Sequence, residues 1–176
     1  MELAPITLIS GSPGAGKTTL ARRLADERER GVHIVTDKFF GYVRRVIDPS
    51  TAAAREQNET VVRAYMRAAV AFAEGGYEVF LDGVIGPWML DTVNEAAGEV
   101  PLNYVVLRAD LESVVGRAAE RTMQEAATED VVRHMHAQFA DLDEYEGHVI
   151  ETTGLRVEDV VTEYRRRAAL GDFRLA

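Results

Sequence analysis

The octapeptide Gly11-Ser12-Pro13-Gly14-Ala15-Gly16-Lys17-Thr18 constrains this chain more than any other stretch, because it fits G-x-x-x-x-G-K-[ST] at every fixed position. Glycine lets a backbone turn through positive φ and come close to a ligand. Successive amide N–H groups can then point inward around phosphate oxygens, at the start of a helix whose dipole favours negative charge. In that arrangement Lys17 reaches the β- and γ-phosphates and the Thr18 hydroxyl ligates Mg²⁺. The flanks agree with the motif. Pro5-Ile6-Thr7-Leu8-Ile9-Ser10 reads as a buried strand, and Leu20, Leu24 and Ala25 follow the loop at helical spacing. Strand, glycine loop and helix together are the context that separates this motif from an ordinary Gly-rich turn.

With 176 residues and 47% hydrophobic content, the chain suits one globular domain, residues 1–176. A domain of that size buries about 70% of its unfolded surface. It has no cysteine, so neither disulfides nor thiolate metal sites hold it together. The N-terminus lacks a basic segment, and no apolar run approaches membrane-spanning length, so the expected location is the cytoplasm. The net charge of −9 disfavours an extended nucleic-acid partner, which normally meets a basic face, while leaving short ones open. Lys17 and Lys38 are the only lysines among 20 basic residues, which makes a lysine in the phosphate loop harder to ascribe to chance.

The remaining pattern alternates short apolar runs with helical stretches. Strands are expected at 5–10, 32–36, 77–82, 102–107 and 148–152. Helices are expected at 17–29, from 38 to about 47, from 51 to about 74 with Ser50 as its cap, and from Pro87 to about 97. Three more are expected at 110–123 with Asp110 as cap, 128–139 and 157–169. Strands that are apolar throughout point to a parallel sheet covered by helices on both faces. Ligands bind beyond the carboxyl ends of such strands, so functional residues should gather after positions 10, 36, 82, 107 and 152.

Two acids stand at such ends. Asp82 closes Val79-Phe80-Leu81-Asp82, the apolar strand with a terminal carboxylate that holds Mg²⁺ directly or through water beside a phosphate loop. The competing reading makes Asp82-Gly83 a tight bend. Asp37 follows the second strand and could accept the proton of a substrate hydroxyl. Its competing reading is a helix N-cap. Arg117 and Arg121 lie four apart on one helix face, before a polar break that looks like a lid edge at about 122–134. They are suited either to shielding phosphate charge or to a solvated face paired with Glu120 or Glu125.

Phe39, Phe40, Tyr42, Arg44, Arg45, Tyr65 and Trp88 lie between Asp37 and the fourth strand. An aromatic pocket with arginines beside an acid would suit a small, partly apolar, hydroxyl-bearing acceptor, with Phe40, Tyr42, Asp82 and Trp88 as candidate contacts. Phe39 and Tyr65 also fit a simple role covering the sheet. His33, His134, His136 and His148 have no metal-ligand spacing and read as structural or surface residues.

These residues resemble the small-molecule kinase branch of P-loop proteins, which includes shikimate kinase, gluconate kinase and chloramphenicol phosphotransferase. The likeness runs through Gly11-Ser12-Pro13-Gly14-Ala15-Gly16-Lys17-Thr18-Thr19, Asp37, Val79-Phe80-Leu81-Asp82-Gly83, Leu107-Arg108-Ala109, Arg117 with Arg121, and Glu151-Thr152-Thr153-Gly154. The resemblance implies an α/β, three-layer P-loop NTPase fold with a parallel sheet of order 2-3-1-4-5 and a small helical lid. It implies ATP with Mg²⁺ as cofactors, and a small-molecule hydroxyl as acceptor. It makes Lys17, Asp37 and Arg121 catalytic, with Arg117 against the adenine and Gly154 beside the adenine edge. Thr18 and Asp82 become the metal pair. The chain departs from shikimate kinases at Phe39, where they carry a second acid, and at Gly83-Val84-Ile85-Gly86, where they carry a run of glycines. Its Gly-Ser-Pro-Gly loop also differs from the serine-rich form in chloramphenicol phosphotransferase. Two other readings stay open: a nucleotide-binding module or resistance protein that sequesters its ligand, and an enzyme like zeta toxin or polynucleotide kinase.

Overall fold

The computed structural model describes residues 3–119 and 128–175. Within them the chain runs β1 (Ile6–Ser10), α1 (Lys17–Asp26), β2 (Gly31–Val35), α2 (Asp37–Phe40), α3 (Arg55–Glu74) and β3 (Glu78–Asp82). It continues through α4 (Leu90–Ala97), β4 (Leu102–Arg108), α5 (Leu111–Ala119), α6 (Glu129–Gln138), β5 (Val149–Glu151) and α7 (Val157–Leu170). The strands form a five-stranded sheet in the order β2-β3-β1-β4-β5, parallel at every pairing. This is the expected order and the P-loop NTPase-like architecture. Strands are apolar along their whole length because both faces are covered.

Alternation along each strand sorts residues between the two faces. Ile6, Leu8, Leu81 and Val106 pack with Val62 and Met66 of α3 and Val93 of α4. Ile9, Phe80, Val105 and Leu107 pack on the other side with Leu20 and Leu24 of α1 and Val161 and Tyr164 of α7. Val32 and Ile34 of β2 belong with the first group. His33 and Asp82, one position out of step with their apolar neighbours, therefore share the face that α1 covers.

Three local expectations are corrected. The helix after Asp37 stops at Phe40 rather than near Ile47. Gly41, Tyr42 and Val43 continue as tight turns that bond back three residues, to Lys38, Phe39 and Phe40. Most of the stretch from 41 to 51 is exposed, so it has no buried stripe to hold a longer helix. Ser50 does not cap the next helix. Its backbone N–H and hydroxyl both bond the Asp48 carboxylate, at 3.0 and 2.7 Å, and Thr51 then leads into a 3₁₀ turn, Ala52–Ala54, before α3 begins. Pro87 likewise opens a 3₁₀ turn, Pro87–Met89, ahead of α4. Two other expected starts hold. The Asp110 carboxylate accepts from Ser113 N–H at 2.9 Å, and Thr128 sits at the N-cap of α6. Arg121 and residues 122–127 of the expected lid lie outside the described residues.

Candidate active site

The phosphate loop leaves β1 at the middle of the sheet and enters α1 through Gly16, which is left-handed at φ 98°. A Cβ on Gly16 would meet nothing within 4 Å, so this side of the loop is open to a ligand. The opposite wall is closed. A Cβ on Gly14, at φ 86°, would lie 2.4 Å from the Val114 carbonyl oxygen of α5. The loop is thus pressed against α5 on one side and open on the other, with the N-terminus of α1 aimed into the opening. Lys17 is nearly fully buried, and its Nζ donates to the Ser12 carbonyl oxygen at 2.9 Å, folding the ammonium back across the loop. Thr18, half-buried, is the second residue of α1, and Thr19 after it is exposed.

Asp82 ends β3 between two strands, paired in register with Ile9 of β1 and Val35 of β2. Only 2% of it is exposed. Its carbonyl oxygen accepts from Thr36 N–H at 2.8 Å, which ties the ends of β2 and β3 together. The side chain pairs with His33: the imidazole Nε2 stands 2.9 Å from Asp82 Oδ2. A carboxylate only accepts, so Nε2 carries the hydrogen. The sequence reading leaves His33 as a structural or surface residue, without a partner, and the structure places it against Asp82. The signal available was register: a polar residue two positions before the end of β2, on the same face as the acid ending β3.

Asp37 is exposed at the first position of α2, two residues beyond the end of β2. The N-cap position belongs to Thr36, and no side chain caps this helix, so the capping reading of Asp37 does not hold. Burial pushes the Tyr65 phenol above its ordinary range, and the charge of nearby Asp37 adds to the shift. Tyr65 itself is core, joined edge-on to Phe39 at 6.0 Å between ring centres. The two therefore cover the sheet, as the simpler reading had it. Phe40 is half-buried, Tyr42 is 76% exposed and Trp88 is 55% exposed. The Trp88 ring lies over Gly86, where a Cβ would meet it at 2.1 Å, and leans on Phe139 at 6.0 Å.

A cavity of about 260 Å³ opens on the other side of the loop, lined among others by Gly16, Thr19, Leu107, Arg117, Thr152 and Leu155. It is smaller than a typical site for a whole ligand of drug size. Arg117, for which the resemblance implies a place against the adenine, is one of its lining residues. Gly154, at φ 71°, forms the turn between Thr152 and Leu155 on its rim.

The donors near the loop suit a hard cation. A threonine hydroxyl and one buried carboxylate are oxygen ligands of the kind Mg²⁺ takes when phosphates supply the rest. Among the described residues there is no group of three or more His, Cys, Asp or Glu that could hold a metal ion. No helix among the described residues is long and apolar enough to cross a membrane.

Comparison with known proteins follows the same lines. The AAA domain family (AAA_33) matches residues 6–142. No curated protein matches the chain. Among solved structures, a sugar kinase from Janibacter sp. HTCC2649 superposes with a TM-score of 0.71 at 20% identity, covering 96% of this chain and 95% of that one. The tunicamycin resistance protein of Deinococcus radiodurans gives 0.66 at 19% identity over 98% and 99% of the two chains. A gluconokinase from Sinorhizobium meliloti 1021 gives 0.62 at 13% identity over 97% of each. With the motif on an open loop, the acid on the neighbouring strand and a family match over most of its length, this chain belongs to the AAA domain family and carries its P-loop fold.

Proposed function

We propose that the protein is an ATP-dependent phosphotransferase that moves the γ-phosphoryl group of ATP to a hydroxyl of a small molecule. The observation that carries this reading is the placement of three groups at the carboxyl ends of three adjacent strands: the open phosphate loop after β1, Asp82 at the end of β3 and exposed Asp37 after β2. Neighbouring strands stand about 4.8 Å apart, so Asp37 sits about 10 Å across the sheet from the loop. That spacing leaves room for a terminal phosphate and an acceptor oxygen between them. An acid there has no part in nucleotide binding, but it is well placed for an acceptor hydroxyl.

In this reading the base occupies the cavity beside Arg117 and Leu155, and the loop amides of residues 11–19 hold the phosphates. Lys17 swings from the neutral Ser12 carbonyl to the anionic oxygens of the β- and γ-phosphates. Thr18 and Asp82 would hold magnesium brought by the nucleotide, which would supply charge compensation for the phosphates. Asp37 accepts the hydroxyl proton as the oxygen attacks in line, and Arg121, which lies outside the described residues, offsets charge on the transferring group. Phe40, Tyr42 and Trp88 supply apolar surface for the rest of the acceptor. The kinases among the structural neighbours favour this reading, and the net charge of −9 favours a small acceptor over an extended polyanion.

The test is ADP release measured against a panel of small alcohols and metabolite extracts, with product mass gain as confirmation. Asp37→Asn should lower acceptor phosphorylation by at least about 10²-fold, the usual contribution of a general base, while binding ATP as before. Full-rate phosphorylation by Asp37→Asn would remove Asp37 from the role. Nucleotide binding without transfer to any acceptor would favour a sequestering protein instead.

A further inference from the structure

Asp82 poses a problem that the proposed reaction does not itself solve. A carboxylate almost fully withdrawn from water is costly unless its oxygens are hydrogen-bonded. It must also present one oxygen in a fixed direction if it is to hold a small cation that demands near-octahedral geometry. Backbone bonds around it tie down the strand but not the side chain: Thr36 N–H goes to the Asp82 main-chain oxygen, and Gly83 N–H goes to Ile9. The side chain is met by His33, whose Nε2 stands 2.9 Å from Oδ2.

His33 is held for this task. It stands in β2 opposite Phe80, two residues before the Val35–Asp82 register pair, on the face under α1. Directly opposed residues on neighbouring strands are close, and a diagonal neighbour is within reach only of a long side chain. An imidazole spans that diagonal; Ser, Thr or Asn would fall short. Its side chain is 16% exposed, so the ring is wedged by its surroundings, and the bond it donates is shielded from water.

We propose that His33 is a positioning residue for the metal-nucleotide complex: by donating Nε2–H to Oδ2 it fixes the Asp82 carboxylate and assigns Oδ1 to the cation or its water. This rests on the phosphotransferase reading only for the presence of a magnesium nucleotide, and not on the identity of the acceptor. Partners that orient a metal-ligating group commonly change metal affinity by about 10–100-fold when removed.

Calorimetric titration of a non-hydrolysable ATP analogue, with and without Mg²⁺, reads the effect without turnover. His33→Phe keeps a ring of similar size and removes the donor; His33→Gln keeps a donor on a long side chain. In His33→Phe the affinity gained on adding Mg²⁺ should fall about tenfold or more, metal-free affinity should stay as in the wild type, and His33→Gln should regain most of the loss. Direct binding of Mn²⁺ to the nucleotide complex, followed by electron paramagnetic resonance, should show the same order. If His33→Phe does not fold, His33→Leu serves in its place, and melting curves identify the folded variant. An unchanged Mg²⁺ dependence in a folded variant lacking the donor overturns the inference while leaving the phosphotransferase reading intact. A uniform loss with and without metal also overturns it, since that marks a merely structural role. Absence of any nucleotide binding by the wild type overturns both.

Discussion

At the scale of single residues, Gly83 shows how tightly the acid is mounted. A Cβ there would lie 1.8 Å from Thr36 Oγ1 and 3.1 Å from Thr36 Cβ. Thr36 is 2% exposed and β-branched, so its side chain is held stiffly in a buried site and has little freedom to turn away. Gly83 is therefore required by close approach rather than by a turn: its N–H bonds Ile9, and Thr36 N–H bonds Asp82, so neither strand end can retreat without losing a ladder bond. Gly83→Ala should cost about 1–3 kcal/mol by overpacking. In urea titrations the double variant Gly83→Ala/Thr36→Ala should be less destabilised than the sum of the two singles, because the second change removes the atom struck by the first. Strict additivity would mean that the strand ends simply spread. The same pair reads on function, since any spreading moves Asp82 relative to the loop.

At the scale of elements, the segment after β3 is pinned to the strand that launches the phosphate loop. The Ser10 hydroxyl donates to the Ile85 carbonyl oxygen at 2.7 Å and accepts from Ile85 N–H at 2.9 Å, and the Tyr104 hydroxyl of β4 donates to the same carbonyl at 2.7 Å. All three residues are buried. Losing a donor to a shared acceptor leaves that acceptor still satisfied, whereas losing the only acceptor of a buried N–H leaves an orphan. Ser10→Ala should therefore destabilise by about 1–3 kcal/mol, and Tyr104→Phe by only about 1 kcal/mol or less, although it removes the same number of atoms. Denaturation midpoints that reverse this order would show that Ile85 N–H finds another partner. These bonds also mark the limit of sequence reading. The strands and the loop were legible because their signals are local: apolar runs of about five residues, and an octapeptide with its own chemistry. The bonds from Ser10 to Ile85 and from His33 to Asp82 join positions 75 and 49 apart in the chain, and only the strand register brings them together. The end of α2 and the role of Ser50 were misread for a different reason. Local propensity allowed a helix and a cap, but the exposed segment offered no buried face to hold the first, and Asp48 took both donors of Ser50.

At the scale of the whole molecule, the sheet joins two apolar layers, and the proposed ligand binds across the junction of loop, α1 and α5. A ligand that binds only the folded state stabilises it by an amount set by its concentration over its Kd, about 2.7 kcal/mol at a hundredfold excess. For a domain of this size that corresponds to a rise on the order of 5–10 °C in Tm. Mg²⁺ without nucleotide should do almost nothing, because no described cluster of acids can hold it alone. ATP without Mg²⁺ should give part of the rise, through the loop amides and Lys17, and the two together should give the whole. Lys17→Ala should remove most of the nucleotide-dependent rise. Asp37→Asn should keep the full rise, because the proposed reading gives Asp37, at the start of α2, to the acceptor and not to the nucleotide. This pattern separates the phosphate grip from the acceptor chemistry before any acceptor is known. An equal loss of nucleotide stabilisation in Asp37→Asn would place Asp37 in the nucleotide site and require another residue to take the acceptor proton.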